Sequence, residues 1–207
     1  MDASVIAALA KWPDVPAVFG WLALTARGQW RLRGEPIRNA AICEFIGRNY
    51  AGDDRGRWYF QNGPQRVYVS LELTPWVYRL DADGSITTHT GFAPDRCTGA
   101  ALLDKDRVVL VTELGPGVVD DRDASRFLRD VSDASGRTLD ACGCERWLLG
   151  TDDAYLVPER LSLQGTATRF ERVSSDLLER RWKFVREPTE DAAGAQAGGL
   201  DGAPTLE

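Results

Sequence analysis

One histidine, one methionine and three lysines are all that a chain of 207 residues contains of those types. The lone imidazole, His89, is the only one a Ser–His–acid triad could use, with Ser70 or Ser85 as conceivable nucleophiles. Lysine is outnumbered 22 to 3 by arginine, a bias that GC-rich coding produces, so arginine abundance alone argues little for nucleic acid. No apolar run approaches the roughly 18–20 residues that a bilayer requires. The opening MDASVIAALAKWPD lacks the basic region of a secretory signal. The four cysteines, Cys43, Cys97, Cys142 and Cys144, lack the paired spacing of zinc motifs; Cys142-Gly-Cys144 has neither the usual gap nor a second pair. No metal and no cofactor is expected, and a cytoplasmic location would keep the thiols reduced. P-loop, Gly-x-Ser-x-Gly and His-Glu-x-x-His motifs are also missing.

What is present is an ordinary globular mixture, 43% hydrophobic and 27% charged, which excludes collagen-like and wholly disordered chains. The length suits one large domain or two small ones. The net charge of −6 is unevenly spread. Residues 187–207 carry five acids and no Lys or Arg, leaving 25 basic against 26 acidic residues in the body. Residues 27–79 hold nine arginines and five acids, whereas 81–153 hold eight basic and fifteen acidic residues. Such asymmetry would steer an anionic ligand to the first half, or let the halves attract each other or a second copy.

Hydrophobic periodicity predicts a helix over 4–12 capped by Ser4, with Val5, Ile6, Leu9 and Trp12 on one face. Residues 21–33 read as a hairpin with Ala26-Arg27-Gly28 as its loop. That register sets Leu24 opposite Trp30 and Leu22 opposite Leu32, with Trp21 and Arg33 as a cation–π pair on the other face. A helix from Pro36 to Arg48, with Ile37, Ala41, Ile42, Phe45, Ile46 and the small hydrophobe Cys43 inward, would close on a left-handed Asn49. In the next hairpin a four-residue loop, 62–65, avoids asking Pro64 for a missing N–H. It pairs Phe60 with Val67 and Trp58 with Val69, leaving Arg57, Tyr59, Gln61, Arg66 and Tyr68 on the opposite face. Further hairpins are expected around 81–84 and 104–106, and Gly115-Pro-Gly117 reads as a turn. A helix over 123–133 would be capped by Asp123 and carry an Arg126–Asp130 pair. Strands are expected at 146–150, 154–157, 160–164 and 167–173, then a helical or extended segment at 175–185. From Glu187 the chain lacks core residues and reads as a disordered tail.

The order hairpin, helix, hairpin appears twice. Leu24 and Trp30 correspond to Leu103 and Val109, and Arg57-Trp58 to Arg146-Trp147, which suggests two pseudo-repeated lobes meeting near 92–99. The expected organisation is an N-terminal lobe (1–91), an acidic C-terminal lobe (92–186) and the tail (187–207). The fold class is α+β, mostly antiparallel hairpins or a meander with three or four short helices.

The strings WPDVPAVFGWLALTARGQWRLRGEPI, FIGRNY, GRWYFQNGPQRVYV and LELTPWVYRL, spanning about residues 12–91, resemble an uncharacterised proteobacterial family, a domain of unknown function. GRWYFQNGPQRVYV is the most distinctive of them. The resemblance implies a bacterial, cytoplasmic origin and no activity, cofactor or catalytic residue.

The candidate binding surface is the arginine- and aromatic-rich hairpin. Twelve of the nineteen aromatic residues lie between Trp12 and Tyr78. Guanidinium forks grip carboxylates or phosphates, and tyrosines supply stacking area with a polar tip. Arg57, Tyr59, Gln61, Arg66 and Tyr68 are therefore the binding candidates of a non-enzymatic interaction module, facing a protein partner, a second copy or a small anionic ligand. The same face could instead pack inside the protein, its arginines snorkelling to water. The alternative function is a hydrolase or lyase whose arginines hold an anionic substrate in a cleft between lobes. Single-stranded nucleic acid is disfavoured by the near-neutral body, and the acid pairs Asp53-Asp54, Asp120-Asp121 and Asp152-Asp153 read as solvated turns.

Overall fold

The computed structural model describes residues 1–12, 15–104 and 106–190. After α1 (Ala3–Lys11), strands β1 (Val18–Leu24) and β2 (Trp30–Leu32) form the expected hairpin, with Leu22 opposite Leu32 and Leu24 opposite Trp30. Gly28 sits at φ +73° and packs against His89, where a Cβ would collide. Arg33 lies 3.8 Å over the Trp21 ring. The chain then turns at Arg33-Gly34 into β3 (Glu35–Pro36). Pro36 is thus a strand residue at the sheet edge, and α2 (Ala40–Arg48) starts four residues later, capped by Asn39 accepting from the Ile42 N–H. Asn49 ends α2 at φ −112°, so no left-handed residue closes it. Ser4 likewise does not cap α1: the Asp2 carbonyl accepts from Val5 and Ile6.

Strands β4 (Tyr50–Gly52), β5 (Trp58–Asn62) and β6 (Gln65–Leu71) make an antiparallel meander. Phe60 opposes Val67 as expected, but the loop is tighter, with Asn62 opposite Gln65 and only Gly63-Pro64 between them. Pro64 lies in the turn itself, where its missing N–H costs no ladder bond. β6 returns parallel to β1, giving the order β3-β2-β1-β6-β5-β4.

The same construction follows immediately. β7 (Trp76–Leu80) and β8 (Ile86–Thr88) form a hairpin; β9 (Cys97–Leu103), β10 (Arg107–Thr112) and β11 (Gly115–Val119) form a meander; and β11 returns parallel to β7. The Leu24–Trp30 pair recurs as Leu80–Ile86, 56 positions on. The Asn62–Gln65 turn recurs as Thr112–Gly115, 50 positions on. The second connection is six residues shorter because a loop replaces α2. Two pseudo-repeated sheets are therefore present, but with other equivalences than the sequence suggested: Leu103 pairs with Arg107, and Arg146-Trp147 is helical. β7 and β8 belong to the second sheet although they precede residue 92. Gly115-Pro-Gly117 is strand rather than turn, and Gly117 is needed there because a Cβ would strike the Tyr78 ring.

The remainder packs around the second sheet. α3 (Ala124–Phe127) runs into a 3₁₀ turn at Leu128–Asp130 and then β12 (Val131–Ser132), shorter than the helix expected over 123–133. Asp123 accepts from the Leu80 N–H instead of capping its helix, and Arg126 donates to the Ala82 carbonyl rather than pairing with Asp130. The strand expected at 146–150 is α4 (Ala141–Leu149), capped by Asp140 and stopped at Gly150. Its amphipathic signal is Trp147, 1% exposed and 4.8 Å from Phe170. β13 (Tyr155–Leu156) and β14 (Thr168–Arg169) join β12 in a small sheet, with a 3₁₀ turn at Pro158–Leu161. β15 (Glu171–Val173) completes the second sheet, β15-β9-β10-β11-β7-β8. After α5 (Leu178–Trp182) the chain returns to the first sheet: Val185 donates to the Gly56 carbonyl and Leu71 to the Arg186 carbonyl, both at 2.8 Å. Pro188 is buried; the rest of the expected tail, 191–207, lies outside the described residues.

The result is an α+β fold with one contiguous core reaching from Leu22 to Phe184. No helix among the described residues is long and apolar enough to cross a membrane.

Candidate anion-binding cleft

The hairpin residues singled out from the sequence do share one face, and the chain's own side chains fill it. Arg57, Tyr59, Gln61 and Tyr68 are buried, and Arg66 is partly so. Arg57 donates to Asp53 and to the Tyr68 hydroxyl, each at 2.8 Å, while Tyr68 donates to Asp53 at 3.1 Å. Tyr68 also stacks on Phe19 with ring centroids 4.6 Å apart, and Arg66 lies 4.6 Å over Tyr59. Gln61 donates to the Gly63 carbonyl. Alongside runs α1, tied at its start by Asp2 to Asn49 and Arg48, with Ala8 against the Gly63 turn.

The other chemical candidates are also engaged. Ser85 donates to Asp83 within its turn, and Ser70 is a strand residue opposite Ala23; neither lines the cleft that His89 lines. Within the acid pairs, Asp53, Asp120, Asp121, Asp152 and Asp153 each meet an arginine. Cys142 and Cys144 open α4, where positions two apart point to different sides of the helix.

The cleft that the structure does present lies where the two sheets meet, with a volume of about 590 Å³. Its walls come from the β1–β2 loop, the β3–α2 connection and the ends of β7 and β8. Charge crosses this junction repeatedly. Arg27 binds Asp121 through two nitrogens, the shorter contact being 2.7 Å, and Arg79 donates to the Arg27 carbonyl at 3.2 Å. Arg79 is also 3.7 Å from Asp120, which Arg122 grips as well. Burial alone would raise the Asp120 pKa, but the hydrogen bonds and charge of Arg122, with Arg79, bring it below the usual carboxylate range.

Arg31, Arg38 and Arg79 reach this cleft. Arg31 and Arg38 have no ion-pair partner among the described residues, although the acidic Glu44 also lines the wall. At its base stands His89, with Trp30, Tyr50 and Trp76 around its ring at 5.3, 5.9 and 5.8 Å between centroids. Its Nδ1 accepts from the Val77 N–H, which places the proton on Nε2. That Nε2–H is buried and meets no acceptor among the described residues; Arg79 Nε is likewise without a hydrogen bond. Burial in this aromatic setting, then the charge of Arg79, lowers the His89 pKa to about 3. The ring is a neutral donor at physiological pH, and too weak a base for general-base work there. Cys43 borders the same space, its thiol pushed up by burial and donating to the Ile37 carbonyl.

Of the cleft residues, sequence reasoning weighed His89 as a catalytic candidate and placed Gly28, Trp30, Ile37 and Cys43 only as structural residues. Its signal for Arg31, Arg38 and Arg79 was the positive balance of residues 27–79, which located the charge without saying which arginines lack partners.

A two-sheet α+β protein with a cationic cleft at the sheet junction is the class that fold and site define. The chain belongs to the family described as "Protein of unknown function (DUF2946)", whose model matches residues 1–189. Among solved structures it is similar to a DUF1285 family protein from Silicibacter pomeroyi DSS-3, at 14% identity and TM-score 0.46, over 83% of this chain and 90% of that one. It is also similar to a DUF1285 family protein from Shewanella baltica OS155, at 18% identity and TM-score 0.40, over 52% of this chain and 90% of that one. No curated protein matches. The membership agrees with the resemblance to an uncharacterised family and assigns no activity.

Proposed function

We propose that this protein is a binding module for a small anion, taken up in the cleft between its two sheets. The observation that carries the reading is a cleft lined by Arg31, Arg38 and Arg79, of which Arg31 and Arg38 form no ion pair among the described residues, with His89 in the wall. An anionic oxygen in the cleft would gain charge-assisted hydrogen bonds from these arginines. Recognition is favoured over catalysis because the histidine stays neutral far below physiological pH, and the hydroxyl that lines the cleft, that of Thr90, is hydrogen-bonded to Thr88 rather than to a base. The four free cysteines fit a reducing, cytoplasmic setting.

His89 is the only histidine, so its ring resonances in an NMR spectrum are unambiguous. Titration with inorganic phosphate and with glutarate should shift them saturably. Replacing both Arg31 and Arg38 by Ala should weaken that binding at least tenfold, while Arg66→Ala leaves it unchanged. Ring resonances that stay still with both anions would refute the reading.

A further inference from the structure

A second cavity, of about 330 Å³, lies on the other side of α2. It is lined by Leu22, Leu32, Ile42, Phe45, Phe60 and their neighbours, and none of its lining residues is charged. Trp21, Leu32 and Ile42 are 47–48% exposed, and all three border this groove. Exposed large apolar side chains gathered at one concavity, rather than scattered, are the mark of a binding surface.

The groove adjoins the cationic cleft. Ile37, in the connection from β3 to α2, lines both cavities. Trp30 in the cleft and Leu32 in the groove are only two residues apart on β2. Helix α2 divides the linings in the same way, with Cys43 and Glu44 toward the cleft and Ile42, Phe45 and Ile46 toward the groove. Charge sits at one end and hydrocarbon at the other, with a shared apolar wall between them.

We infer that the ligand is a single-chain anionic amphiphile, its head held in the arginine cleft and its hydrocarbon chain passing Ile37 into the groove beside α2. The inference rests on the anion-cleft reading and deepens it by naming the ligand class. The head meets Arg31 and Arg38 beside His89, while the chain covers Trp21, Leu32 and Ile42. Both cavities lie in the small-ligand range or at its lower edge.

The test is calorimetric titration of the full chain with butanoate, hexanoate, octanoate and decanoate below their micelle concentrations, with octan-1-ol and inorganic phosphate as controls. Affinity should rise about fourfold per added methylene until the groove is full. Octanoate should bind at least tenfold more tightly than octan-1-ol. Ile42→Glu should flatten the chain-length dependence, and Leu32→Glu, also at an exposed position, should do the same if the first variant folds poorly. Carboxylates and phosphate that bind with one affinity at every chain length would overturn the amphiphile and leave the anion cleft standing. Octan-1-ol matching octanoate, with no effect of replacing Arg31 and Arg38 by Ala, would overturn both. Silence from every probe would do so too.

Discussion

Replacing Arg57 by Ala asks whether the most distinctive hairpin arginine serves a ligand or the fold. Arg57 and Asp53 keep only 9% and 7% of their side chains exposed and meet at 2.8 Å. The Asp53 carboxylate also accepts from the backbone N–H groups of Arg55 and Arg57 and from the Tyr68 hydroxyl. Burial pulls its pKa upward, but these hydrogen bonds and the Arg57 charge outweigh that and hold it below the ordinary carboxylate value. Truncating Arg57 leaves the carboxylate buried with the neutral donors alone. Loss of one partner of a buried pair costs about 3–5 kcal/mol; the surviving donors put this case near the lower end, about 3 kcal/mol. Arg66→Ala removes a partly exposed cation–π contact worth about 0.5–1 kcal/mol. Urea unfolding at pH 7 should then show a midpoint lower by about 1–3 M for Arg57→Ala, with a much smaller change for Arg66→Ala. Asp53 has a depressed pKa, so its contribution is present above the unfolded carboxylate pKa and fades as pH falls below it. The gap between wild type and Arg57→Ala should therefore narrow toward pH 3. A loss under 1 kcal/mol at pH 7 would refute the assignment of Arg57 to the fold and return it to the list of ligand contacts.

Two further outcomes follow from the core. His89 has a folded pKa of about 3 against about 6.5 when unfolded, so the unfolded chain binds the extra proton and stability falls by about 1.4 kcal/mol per pH unit below 6.5. Between pH 6 and 4.5 no other histidine contributes; His89→Leu should flatten the stability–pH curve there, and an unchanged slope would show that the ring titrates normally. Gly117→Ala should cost about 1–3 kcal/mol by overpacking against Tyr78, measured as a lowered denaturation midpoint, and a neutral effect would mean that the β7–β11 spacing is wider than described.

How much of this was legible depends on how far each feature reaches along the chain. The Leu24–Trp30 and Phe60–Val67 registers were readable because alternation and a nearby turn determine them within about a dozen residues. The strand Gly115–Val119 was hidden because its Gly117 answers to Tyr78, nearly forty residues away, and not to local propensity. Helix α4 was misread because Arg146-Trp147 resembled the start of a strand, although Asp140 and Gly150 mark its ends. The repeat was suspected from the order of elements. Its true offsets emerge only from strand pairing, since Asn62-Gly63-Pro64-Gln65 and Thr112-Glu113-Leu114-Gly115 make the same two-residue connection without sharing a residue.

By itself, then, the sequence determined the fold class, the early hairpins and the presence of an arginine- and aromatic-rich first half, all consequences of local periodicity and turn chemistry. Only the tertiary structure decided which arginines are free. It buried Arg57 on Asp53, and it packed Gly28 against His89, bringing Arg31 and Arg38 from the first sheet to Arg79 and His89 of the second. The physical reason is that a guanidinium is available to a ligand only when no carboxylate of the chain reaches it. That depends on contacts between residues tens of positions apart, which no local pattern encodes.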